Sequence, residues 1–229
     1  MTSRVVPSAV VTASQGAPPE QPARAAVVEA AIQCILERGI YRASSNAIAE
    51  RAGVTWGAIQ HHFGTRENLM LAVLEEGNDR LSRVLRDAEI RGSSVEERVG
   101  EYLAVLDAHY GTQEYLVFMQ VLLTLAHDPR TSEQTLSTMQ RITAAVDADL
   151  HRLAGEVLAG PGSDPAAGED ELGPVLFHAL RGMAMSHLMI SANPPAYGAG
   201  RAAEFAAQKQ ALVQAIGLLV ARRTGRFES

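Results

Sequence analysis

Residues 55–63, "TWGAIQHHF", place a hydroxyl, an indole, an amide and two adjacent imidazoles within nine positions. Imidazoles can ligate metals or carry protons, whereas an indole, an amide and a hydroxyl can meet bases and phosphates. Neighbouring helical residues point about 100° apart, so His61 and His62 cannot chelate one metal together. Asp147 and His151, at i and i+4, could in principle hold a metal, but a solvated helix face accounts for them more simply. No nucleophile elbow, phosphate-binding Gly loop, "HExxH" or paired catalytic carboxylates occur, so neither enzyme chemistry, a metal nor a cofactor is expected. The segment's chemistry therefore points outward, to a partner.

Presenting such side chains requires a rigid support, and the flanking sequence supplies one. Val28, Ala31, Ile32, Ile35 and Leu36 form one apolar stripe of a helix from about 24, stopped by Gly39. Ser44 caps a short helix, "SNAIAERA", that ends at Gly53. Thr55 caps the next, and Thr65 with Asn68 opens a fourth, longer helix in a degraded capping box. Two short helices around a tight Gly turn, braced by a preceding helix, make a helix-turn-helix. Its second helix projects side chains into a major groove. Trp56 reads either as an exposed ring against sugar-phosphate or a thymine methyl, or as core.

Beyond residue 76 no strand alternation appears. Helices are expected at about 78–91, 94–110, 113–127, 132–159, 171–192 and 200–223, separated by Gly- and Pro-rich breaks. Residues 1–22 lack a period and are expected to be a disordered arm. The segment 160–170 is expected to be a mobile loop. The domain boundaries follow as 1–22 arm, 23–70 helix-turn-helix and 71–229 helical body.

The chain has 229 residues and a net charge of −6. Residues 1–75 carry six basic and six acidic groups, so the whole deficit lies in the body. A neutral DNA-reading module on an acidic body remains possible, because local phosphate contacts matter more than total charge. The single cysteine, Cys34, excludes an internal disulfide and suits a reducing cytoplasm as a buried, inert thiol. The most apolar stretch, 175–192, is interrupted by His178, Arg181 and His187, and the N-terminus is too weak for a signal peptide. A cytoplasmic protein is expected.

The run at 27–70, "VVEAAIQCILERGIYRASSNAIAERAGVTWGAIQHHFGTRENLM", resembles the DNA-binding domain of the tetracycline-repressor (TetR) family of transcription regulators. The resemblance rests on the Ala pair at 30–31, Gly39, "IAERAGV", Gly57, "HHF" and "GTRENL". It implies an all-α fold, with a larger helical ligand-binding and dimerisation domain behind the head. It also implies DNA contacts from Ser44, Asn46, Thr55, Trp56, Gly57, Gln60, His61 and Arg66, with His62 packed beside Phe63. Three positions depart from the pattern: Gln60 replaces a Tyr, Asn46 stands where Arg is frequent, and Arg66 replaces Lys. The Asn46 and Gln60 differences imply altered sequence preference.

In the body, Tyr102, Leu106, His109, Phe118, Met119, Leu122, Met139, Ile142, Met183 and His187 form inward stripes that could line an adaptable, mostly apolar pocket, or simply be core. The apolar faces at 172–190 and 205–220 could pair across a two-fold axis as a four-helix bundle. A homodimer would read a palindromic operator. Together these features suggest a ligand-responsive DNA-binding regulator, more commonly a repressor, whose small effector releases DNA. An activator on the same scaffold, or an all-helical carrier or enzyme with an incidental helix-turn-helix, stands as the alternative.

Overall fold

Hydroxyl side chains punctuate the chain, and each one begins a helix. Ser44, Thr55, Thr65, Ser94, Thr112 and Ser132 all adopt extended backbone conformations, and each accepts a hydrogen bond from the amide three residues on. That geometry satisfies one of the orphan donors of the first turn. The computed structural model describes residues 20–160, 172–192 and 201–223. Among them the chain is helical throughout, with no strand.

The head is made by α1 (Glu20–Arg38), α2 (Ser45–Ala52) and α3 (Trp56–Phe63). Gly53 ends α2 in the left-handed region, at φ 66°, where a side chain would be strained. Its amide closes onto the α2 carbonyls of Ala49 and Glu50, so the chain reverses before Thr55 starts α3. Then follow α4 (Arg66–Asp87), α5 (Val95–Tyr110), α6 (Gln113–His127), α7 (Glu133–Ala159), α8 (Leu172–Ala192) and α9 (Arg201–Arg223).

Three expectations change. The first helix takes in residues 20–22, assigned to the arm from sequence, while the remainder of that arm lies outside the described residues, as does nearly all of the loop expected at 160–170. The helix expected from about 78 is the continuation of α4, which runs unbroken through Gly77. Gly77 does not turn the chain there. A Cβ on it would stand 3.0 Å from Phe118 Cδ2, so the glycine makes room for an α6 ring. Thirdly, Thr65 caps α4, but Asn68 does not complete a capping box: its side-chain amide donates to Phe63 O at 2.8 Å.

Two apolar clusters organise the packing. One runs from Val27, Ile35, Ile48 and Ile59 in the head through Leu69 and Leu74 of α4 to Val121 of α6 and Met139 of α7. The other joins α4, α5, α7 and α8 around Leu85, Tyr102, Leu106, Leu153 and Leu180. The head thus shares its core with the middle helices. Cys34 is buried in it, its thiol 3.7 Å from Ala47 O. No described helix is long and apolar enough to cross a membrane.

Candidate nucleic-acid interface and the cavities behind it

The third helix divides cleanly into two faces. Ile59 and Phe63 are buried against the head core, and Trp56, Gly57, Gln60 and His61 are exposed on the other side. Spacings of one, four and five residues hold these four on one face of a helix. Trp56 is 45% exposed, a large apolar surface left in water, so its ring is outside the core. Gly57 adds no side chain beside it, which keeps the backbone of the first turn approachable. Gln60 Nε2 donates to Gly64 O at 3.1 Å, leaving its amide oxygen facing outward. His62 is half-buried and meets His61 and Phe63 edge-on, with centroids 5.6 and 6.3 Å apart.

On the approach to α2, Ser44 Oγ accepts from Ala47 N at 3.2 Å, and Asn46 is exposed in the first turn. Arg66 is placed differently from the DNA-backbone role expected of it. Its guanidinium turns inward, donating from Nη1 to Ala43 O at 2.7 Å and from Nη2 to Ile40 O at 2.8 Å. Partial burial lowers its pKa, with no carboxylate to oppose that. Arg66 therefore clamps the turn between α1 and α2 onto the start of α4, because those carbonyls need a donor where the helices leave them unpaired.

Two further polar contacts tie head to body. Gln120 Oε1 on α6 accepts from Ile40 N at 3.3 Å. Glu67 accepts from Thr135 Oγ1 at 2.6 Å and from Ser132 Oγ at 3.3 Å, both at the start of α7. Sequence patterns gave no sign of these, since the partners lie 65 or more residues apart.

Among the described residues, an outer and an inner cavity adjoin each other behind the head. The outer one, of about 190 Å³, opens between α4, α5 and α6, past Gly77, Val84 and Ala108. The inner one, of about 60 Å³, lies between α4 and α8, and His109, Tyr115 and Phe118 line both. Of the residues expected to line a pocket, His109 and Phe118 border both cavities and Leu122 borders the inner one. Tyr102 and Leu106 are closed into the body core, while Met139 and Ile142 belong to the cluster shared with the head. Met119 and Met183 pack against the body core without reaching either cavity, and the side chain of His187 lies outside the described residues. These stripes point inward, but most meet other side chains.

The inner wall also contains Tyr110, on the same helix face as His109, and Tyr115, Phe177 and Arg181, which sequence reasoning did not place there. Burial pushes the His109 imidazole down to about 4, so it is neutral at physiological pH. Among the described residues no group of three His, Cys, Asp or Glu could hold a metal. His151 Nδ1 sits 2.6 Å from Asp147 O, an ordinary contact along one helix face.

A long helix followed by two short ones about a tight glycine turn, joined through α4 to a cavity-bearing helical body, has the arrangement of a helix-turn-helix protein. The family model of bacterial regulatory proteins of the tetR family matches residues 27–73, the head and the start of α4. Over 80 residues the chain is 31% identical to the HTH-type transcriptional regulator PksA of Bacillus subtilis, covering 35% of this chain and 39% of that protein. Over 66 residues it is 42% identical to the HTH-type transcriptional regulator TtgR of Pseudomonas putida, covering 28% and 31%. The similarity thus spans well under half the length of these relatives. Over most of its length the fold is similar to that of a transcriptional regulator from Rhodococcus sp., with TM-score 0.60, 20% identity and 87% and 96% of the two chains covered. The multidrug binding protein EbrR, solved with imidazole, is similar over 83% and 93%, with TM-score 0.51 and 21% identity.

Proposed function

We propose that this protein is a sequence-specific DNA-binding transcription regulator that reads a palindromic operator as a homodimer and is released by a small, mostly apolar effector. The observation that carries this reading is the outward face of α3. Trp56 is held in water on a helix whose opposite face is fixed in the core, an arrangement that suits contact with a groove. Trp56, Gln60 and His61 reach bases or phosphates, Thr55 and Ser44 present capped helix starts to phosphates, and Asn46 borders the groove. Repression is the more common outcome for such a scaffold.

One head buries too little surface to select a site in a genome, so two half-sites must be read together. The dimer face differs in detail from the stripes legible in sequence. Leu176, Leu180 and Ile216 are buried within the protomer, whereas Val175, Leu218 and Leu219 are left exposed on α8 and α9. Those outward apolar residues are the ones that pair across the two-fold axis.

Gel-shift titration of the full chain against duplexes selected from a random pool tests the proposal. Trp56→Ala and Gln60→Ala should each weaken binding about tenfold, in keeping with roughly 1–3 kcal/mol per specific contact. Unchanged affinity in both variants would remove α3 as the reading helix. An effector screen by thermal shift, followed by DNA release with each hit, tests the regulatory half.

A further inference from the structure

The inner cavity contains two unmatched donors. Tyr115 is 4% exposed, and its hydroxyl has no hydrogen-bond partner among the described residues. A buried unpaired hydroxyl is a standing cost that a folded protein retains only when something else requires it. Burial raises the Tyr115 pKa, and Arg181 on α8 is close enough to oppose that rise through its charge and a partial hydrogen-bonding approach. Three arginines of α4 and α7 have carboxylate partners, Arg80 with Glu76 and Glu29, Arg86 with Asp149, and Arg152 with Glu156, and buried Arg98 of α5 donates to backbone carbonyls instead. Among the described residues Arg181 has no carboxylate partner, and its one hydrogen-bond-length contact is Met119 Sδ, at 3.9 Å.

The remaining wall is flat and apolar. Tyr110 and Tyr115 meet edge-on at 4.7 Å, Tyr115 and Phe118 lie nearly parallel at 6.0 Å, and Phe177 closes the far side at 6.5 Å from Tyr110. Aromatic walls of this kind favour a planar guest. Asp147 also borders the cavity, but it is exposed.

We propose that the inner cavity selects a planar aromatic acid, whose carboxylate or enolate oxygen accepts hydrogen bonds from Tyr115 Oη and the Arg181 guanidinium. This deepens the effector reading and rests on it for any regulatory consequence. The rings of the acid lie against Tyr110, Phe118 and Phe177. The outer cavity lies next to it and offers further room: His109, Tyr115 and Phe118 line both spaces, and Gly77 of α4 lies against the Phe118 ring.

The test compares three probes with one ring system on the full chain: 2-naphthoate, 2-naphthylmethanol and 2-naphthylmethylamine, by calorimetric titration. The acid should bind at least tenfold more tightly than the alcohol, and the amine most weakly, as a charge-assisted pair in a dry site requires. Arg181→Gln should abolish the preference for the acid. Tyr115→Phe should weaken the acid several-fold without lowering thermal stability, because it deletes a hydroxyl that has no partner. Equal affinity for acid and alcohol, no binding of the acid, or a preference that survives Arg181→Gln would overturn the proposal. DNA release is read separately. Acid-selective binding that leaves DNA bound keeps this site and removes the regulatory reading, whereas release by the alcohol alone does the reverse.

Discussion

Replacing Arg66 by alanine separates two roles that give opposite signatures. As the clamp described above, the side chain gives two hydrogen bonds from a charged donor to Ala43 O and Ile40 O, and its loss leaves two carbonyls of the turn unpaired. Such bonds contribute roughly 1.5–3 kcal/mol each when fully buried. The guanidinium is only partly buried and water can take over part of the pairing, so we expect a combined loss of about 2 kcal/mol. In a chain of this size that corresponds to a fall of about 4–8 °C in melting temperature. Because the head shares its core with α6 and α7, the loss should appear in the main unfolding transition rather than in a separate early step. Arg66→Lys keeps the charge but cannot fork to two carbonyls, and should fall between alanine and wild type. The assay is calorimetric melting of the three proteins beside a salt series of DNA affinity. A residue that chiefly holds phosphate would instead leave melting unchanged and reduce the salt slope by about one. That pair of results would refute the clamp.

Charge introduced at Leu218 or Leu219 should give folded monomers with weakened DNA binding, whereas Ile216→Glu should unfold the body; sedimentation and circular dichroism distinguish the two. His109 has a folded pKa of about 4, below the ordinary value near 6.5, so the unfolded chain binds more protons between those limits and stability must fall as pH drops through that window. The loss should reach about 2–3 kcal/mol near pH 4, and urea midpoints of His109→Gln should show a correspondingly flatter profile. Thr135→Val removes the 2.6 Å bond to Glu67 and should alter how strongly a bound effector changes DNA affinity, while Trp56 and Gln60 stay unmodified; identical effector response in the variant would exclude that contact from the coupling.

The order of helices was legible because it is written in local chemistry: Ser44, Thr55, Thr65 and Ser132 start helices by the same hydrogen bond wherever they stand. The separate helix expected from about 78 fails because α4 runs on through Gly77, whose neighbour is Phe118, 41 residues on, and spacing cannot reveal that partner. The outward face of α3 could be anticipated from the resemblance and the capping pattern. The direction of Arg66 could not, since a basic residue at a helix start serves a phosphate or a carbonyl equally well. Amphipathic stripes have the same ambiguity: Ile216 and Leu219 share one helix, and only packing distinguishes the side that meets α5 from the side left open. The meeting of Tyr115 and Arg181 at one cavity wall is the extreme case, since it brings together residues of α6 and α8.

The unbroken α4 has a mechanical consequence. At 1.5 Å per residue, its 22 residues make a rod of about 33 Å. A tilt of roughly 5° at one end displaces the other by about 3 Å, comparable to one base-pair step. Arg66 and Glu67 bolt the near end to the α1–α2 turn and to α7, so little of that displacement is lost as slack at the joint. In a dimer the two rods would move symmetrically and the spacing of the heads would change by twice the stroke. Half-sites lie about 34 Å apart, on opposite ends of a stiff duplex that cannot stretch to follow. On the proposed reading, a motion too small to expose new core would put both heads out of register, a release by leverage and not by unfolding.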